Sequence, residues 1–148
     1  PHNNNSKDSR DGGGAFVIGQ SADPAAGVNP SLTVPDGQVW KIQTIETNLV
    51  TSATAASRRV HLVLTKAGTT TTNCFSEIDQ IASETKKYSF APYGALPDST
   101  DDNDILVAIP KDTLLHAGDV ISTTTTNLQT TDNYGTLLVY HEMFFEAL

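Results

Sequence analysis

The sequence predicts an all-β protein, an antiparallel β-sandwich or jelly roll of about eight strands with an extended N-terminal arm. Three observations point there. Apolar and polar residues alternate in short runs, as in 59–65 and 105–109, and Gly, Pro, Asn and Asp clusters separate those runs. No stretch sustains the 3.6-residue apolar period of an amphipathic helix. Threonine supplies 20 of the 148 residues, and a β-branched polar side chain suits the solvent face of a strand.

The elements follow in order. Residues 2–14 carry no apolar side chain that could be buried, and such a segment has no means of folding alone. The chain begins at Pro1 with no signal-like apolar run after it, as expected of a chain that has lost an initiator Met or of a processed precursor. Phe16, Val17 and Ile18 form a short apolar patch inside this arm, and they are its candidate partner-binding residues. Pro24, Gly27, Pro30 and Pro35 punctuate the approach to the body. The expected division is an arm over residues 1–30 and a sandwich over residues 31–148.

Residues 39–50 read as a long strand. Trp40 and Ile42 share one parity, whereas Ile45, Thr47 and Leu49 share the other, so a β-bulge is expected near Gln43 and Thr44. Residues 59–65 alternate with Val60, Leu62 and Leu64 inward. Lys66, Ala67, Gly68 and the Thr run after them read as a turn, and residues 74–81 and 87–91 as two further strands. Residues 92–103 form a loop containing Pro92, Gly94 and Pro97. Ile105, Val107 and Ile109 then alternate up to Pro110, which ends that strand. Residues 114–119 turn into a strand at Val120, and residues 136–145 make the last and longest alternating run.

Composition narrows the function classes. The net charge is −8, which argues against a general nucleic-acid binder, whose affinity rests on Lys and Arg. Arg58–Arg59 is too small a basic patch to change that. A single Cys excludes an intramolecular disulfide framework and a Cys-rich zinc site. No apolar run approaches the roughly 20 residues that span a bilayer as a helix. The length is too short for a (β/α)₈ barrel, which takes about 250 residues.

The concentrated chemical feature is the acidic cluster Asp98, Asp101, Asp102 and Asp104, a candidate calcium site because Ca²⁺ takes carboxylate and loop-carbonyl oxygens. Its spacing is not that of an EF-hand, and a solvated acidic loop is the simpler reading. His2, His61, His116 and His141 form no metal-binding spacing along the chain. Cys74 has no base beside it, and Gly12–Gly13–Gly14 lacks the Lys and Ser or Thr that complete a phosphate loop. Trp40, Tyr88, Phe90, Tyr93, Tyr134 and Tyr140 could build a sugar-stacking platform, although Trp40 falls where core packing is expected. Neither catalytic residues nor a cofactor are expected.

Several segments together carry a resemblance. They are Val34-Pro35-Asp36-Gly37-Gln38-Val39-Trp40-Lys41-Ile42, Arg58-Arg59-Val60-His61-Leu62, Tyr88-Ser89-Phe90-Ala91-Pro92, Leu114-Leu115-His116-Ala117-Gly118-Asp119-Val120-Ile121 and Val139-Tyr140-His141-Glu142. In this order they resemble small all-β virion structural proteins of tailed bacteriophages, the family of capsid decoration (cement) proteins and head or tail fittings. The resemblance implies a non-enzymatic jelly-roll protein on the capsid surface. It implies the major capsid protein or other virion subunits as partners, a homotrimer, and neither nucleic acid nor membrane as ligand. An arm that orders on a neighbouring subunit fits this role, since extended segments bury much surface per residue. Deleting residues 1–28 is then expected to abolish shell binding and leave the sandwich folded. A head–tail or tail component and a carbohydrate-binding receptor module are the alternatives. A cupin-like metal enzyme would need His61, His116 and His141 to converge.

Overall fold

A computed structural model describes residues 14–92 and 103–146 of the protein. Two sheets pack into a sandwich around one core, and the described residues contain eleven strands and no helix. These are β1 (Ala15–Gln20), β2 (Ser31–Thr33), β3 (Gln38–Val50), β4 (Arg59–Lys66), β5 (Thr69–Phe75), β6 (Thr85–Pro92), β7 (Asp104–Ile109), β8 (Leu114–His116), β9 (Val120–Thr126), β10 (Asn133–Tyr134) and β11 (Leu138–Phe145). The larger sheet runs β1-β11-β3-β6-β7, with β8 and β10 also paired to β3; the smaller runs β2-β9-β4-β5. Every ladder is antiparallel except β6–β7. The count exceeds the expected eight because β2, β8 and β10 are only two or three residues long, and because β1 belongs to the sheet.

β3 is the spine. Trp40, Ile42, Ile45 and Leu49 of this strand meet Val60, Leu62 and Leu64 of β4, Tyr88 and Phe90 of β6, and Ile105, Val107 and Ile109 of β7. Each fully buried aliphatic side chain contributes roughly 1.5–3 kcal/mol through removal from water. The expected bulge lies at Gln43. Tyr140 pairs with Thr44 and the next residue, His141, with Ile42, so Gln43 is the extra residue. This one insertion lets Trp40 and Ile42 share the core with Ile45, Thr47 and Leu49 despite their opposite parity.

The Thr-rich stretches behave differently from expectation. Residues 69–75 form strand β5 and not a turn, and the strand expected over 74–81 ends at Phe75. Only Ala67 and Gly68 separate β4 from β5, and both have positive φ (50° and 77°). That is the pattern of a two-residue type I′ hairpin, so the β-branched residues after Gly68 are free to pair. Thr123 and Thr125 of β9 are buried, not solvent-facing. Their hydroxyls donate to Asn29 Oδ1 at 3.0 and 2.8 Å, and Thr125 also bonds Tyr134.

The turn signals are placed as their chemistry requires. Gln38 N donates to Pro35 O, with Gly37 at φ 73°. Asp119 N donates to His116 O, with Gly118 at φ 87°, the position a type II turn reserves for glycine. Asp119 Oδ2 accepts from His116 N at 2.8 Å and locks that turn.

Candidate interaction surface

β1 starts inside what the sequence assigns to the arm. Residues 15–20 pair with β11 over their whole length, Ala15 with Met143 through Gln20 with Leu138. The strand forms because Phe16, Val17 and Ile18 favour extended backbone and no Pro interrupts them. Gly19 permits the close approach. A Cβ there would lie 2.8 Å from Trp40 Cη2 and 3.4 Å from His141 Cε1, so the bare backbone of Gly19 roofs both rings. Removing residues 1–28 would therefore strip an edge strand from the sheet and uncover this site, and the expectation that the remainder folds undisturbed does not fit the architecture.

The register fixes which way the backbone of β1 points. Ser21 N donates to Leu137 O at 3.0 Å, and Leu137 N donates to Ser21 Oγ at 2.9 Å. Residues of odd number therefore face β11, and the N–H and C=O groups of Phe16, Ile18 and Gln20 face outward along the sheet edge. The side chains of Phe16 and Ile18 project from the outer face of the sheet. Phe16 is 75% exposed, Ile18 54% and Val17 38%. Together with Tyr140 and the bulge residue Gln43, β1 lines a surface groove of about 310 Å³. The strand carries no charge, no Pro and no bulge, the usual devices that protect an edge from pairing.

Two other depressions lie elsewhere. A cleft of about 480 Å³ runs between β5 and β7 and is lined by Cys74, Phe75, Ile78 and residues 105–108. Cys74 is half-buried and free, and burial raises its thiol pKa, which leaves it less reactive than an exposed thiol. A smaller polar depression holds Ser57, Arg59, His61, Asp79, Thr126 and Asn127. Its carboxylate is already engaged. Ser57 Oγ donates to Asp79 Oδ2 at 2.7 Å and Arg59 Nε to Oδ1 at 2.8 Å, and these bonds hold the Asp79 pKa below the ordinary carboxylate value.

The remaining candidates separate. Asp98, Asp101 and Asp102 lie outside the described residues, as do His2 and Tyr93; Asp104 opens β7 opposite Lys87. The three described histidines do not converge. His61 packs against Phe75 with ring centroids 5.3 Å apart, His116 lies 3.7 Å from Glu146, and His141 stacks on Trp40 at 3.8 Å. Among the described residues, no group of three His, Cys, Asp or Glu side chains could hold a metal ion. Trp40, Tyr88, Phe90 and Tyr134 are core residues, so the aromatic platform is not on the surface; Tyr140 alone of the described set is half-exposed.

Sequence reasoning missed a polar knot at one end of the sandwich. Arg58 and Asp132 are fully buried and joined by two hydrogen bonds. Arg58 Nη1 also donates to Ala56 O at 2.7 Å, and Asp132 accepts from the backbone of Ser52 and Gln129. Beside it Tyr88 donates to Gln80 Oε1, and Gln80 Nε2 donates to Leu49 O and Glu84 O. The partners lie up to 80 residues apart, and no local pattern marks them. All their polar groups are consumed in tying loops together, so the knot is structural.

No family model matches the chain, and no curated protein matches it. Among solved structures it is similar to "Structure of PfGH50B", with a TM-score of 0.38 and 8% identity over 90% of this chain. The match spans only 23% of that structure's chain.

Proposed function

We propose that the protein is a non-enzymatic virion structural protein, a capsid decoration protein that associates with other subunits through β1 and the segment before it. One observation carries this reading. A six-residue uncharged strand sits at the end of the larger sheet with its backbone groups turned outward and three consecutive apolar side chains exposed. Such an edge is a template for strand addition by another polypeptide. The resemblance to phage decoration proteins supplies the setting, with the major capsid protein as partner and the capsid surface as location. A sandwich with its core sealed and its contact strand at the rim suits a subunit that folds first and joins a finished shell afterwards.

The test is density-gradient purification of particles from the source, with this chain quantified against the major shell protein. A fixed copy number per particle, lost on Phe16→Asp, is the expected result. A chain found wholly outside the particle band overturns the reading.

A further inference from the structure

The structure assigns a specific occupant to the edge of β1 that no described strand covers: the β1 strand of a second copy of this chain, paired antiparallel about a two-fold axis at Val17. The assignment deepens the proposed role only in taking β1 as the contact strand, and it concerns the purified protein without any shell. Phe16, Ile18 and Gln20 present their N–H and C=O groups outward, so an incoming strand must form its hydrogen-bonded pairs with residues of even number. A two-fold pairing about Val17 satisfies this. Phe16 then faces Ile18 of the second copy, and Ile18 faces its Phe16, each pair exchanging two backbone bonds.

Side chains agree with that register. On the outer face, Phe16 (75% exposed) lies across from Ile18 (54% exposed), an aromatic against β-branched pair that strands favour. On the other face Val17 meets Val17 at the axis, and Ala15 lies opposite Gly19, where no side chain competes for space. Shifting the register by two residues would set Phe16 against Gln20 and leave its ring half in water. No charged side chain lies on either strand, so two chains of net charge −8 meet without like charges on the paired strands. Self-complementarity of this kind is what an isologous interface demands. The product is one continuous sheet across two sandwiches. A two-fold unit takes the place of the trimer that the resemblance implies.

The experiment uses the full chain. Light scattering after size-exclusion chromatography should give twice the 15.8 kDa chain mass. Ile18→Lys should reduce it to one, with the circular dichroism spectrum and melting temperature retained, because Ile18 is outside the core. Ile18→Pro is the second variant. It removes only an outward N–H and should also give monomer. In a Cys74→Ser background, Val17→Cys should cross-link on mild oxidation, since facing residues of a non-hydrogen-bonded pair lie about 4.5 Å apart at Cα. Gln20→Cys should not, its two copies being about 20 Å apart. A monomer at all concentrations, a trimer, or a dimer indifferent to Ile18→Lys overturns the assignment. Shell binding without dimerisation would refute this pairing and leave the virion reading standing; dimerisation without shell binding would do the reverse.

Discussion

Arg58 Nε and Nη2 lie 2.8 and 2.9 Å from the two carboxylate oxygens of Asp132, and neither side chain is exposed. Each charge is tolerable in the interior only because the other is there. Arg58→Ala leaves a buried carboxylate without its counter-charge and should cost about 3–5 kcal/mol. The urea midpoint reports it. Arg58→Met combined with Asp132→Asn should recover part of that loss, because the unpaired buried charge is gone while the amide oxygen can still accept from the Ser52 or Gln129 N–H.

The same carboxylate sets an acid limit. Burial raises the Asp132 pKa, but hydrogen bonds from Arg58, Gln129 and Ser52 outweigh it and hold the group at about 2, below the ordinary 3.8. A carboxylate whose folded pKa is depressed stabilises the fold above its unfolded value and loses that contribution as pH falls through the folded one. Between about pH 4 and pH 2 the protein should therefore lose about 2 kcal/mol from this group. Denaturant titrations at both pH values test it, and Asp132→Asn should flatten the slope.

His141 sets a second, milder window. Burial lowers its pKa from the ordinary 6.5, Nδ1 donates to Val139 O at 2.9 Å, and Nε2 is buried without a partner among the described residues, so the fold favours the neutral ring. Protonation is easier in the unfolded chain, so stability should fall as pH drops below about 6.5. His141→Phe keeps the stack on Trp40 and should remove this pH dependence while retaining the melting temperature at pH 8.

Gly19 is the point at which β1 is fastened. Gly19→Ala drives a methyl to within 2.8 Å of the Trp40 ring, and the repacking should cost about 1–3 kcal/mol. Hydrogen exchange gives the site-specific readout. The amides of Val17 and residue 19 should lose protection before those of β4 and β9 do.

Ala67 offers the opposite change. It holds φ 50° in an exposed two-residue turn, where Asn followed by Gly is preferred. Ala67→Asn should raise stability by about 0.5–1 kcal/mol, measured as a rise in the thermal midpoint.

Much of the architecture is legible in the sequence because strand alternation is local information. The parity change at Gln43, the inward set Val60, Leu62 and Leu64, and the stop at Pro110 all depend on neighbours along the chain. Thr69–Phe75 misleads because Thr favours both turns and strands, and the deciding signal is the two-residue Ala67–Gly68 turn. β1 misleads in another way. Five apolar and small residues, Ala15 to Gly19, between polar segments look like part of an arm, and only the distant edge of β11 makes them a strand. Phe16, Val17 and Ile18 are visible as a patch, but their partner in the sheet and the direction of their backbone are not. The Arg58–Asp132 pair is invisible for the same reason.

Among the described residues β1 pairs with β11 alone, and β11 lies between β1 and β3 in the sheet. During synthesis, β1 leaves the ribosome with both edges bare and must wait until Leu138 to Met143 have emerged before it can dock. Through that interval an uncharged, apolar strand is available to any other nascent copy nearby. The protein should thus depend on prompt completion of β11 or on chaperone cover of β1, and crowded polysomes should be where it goes astray.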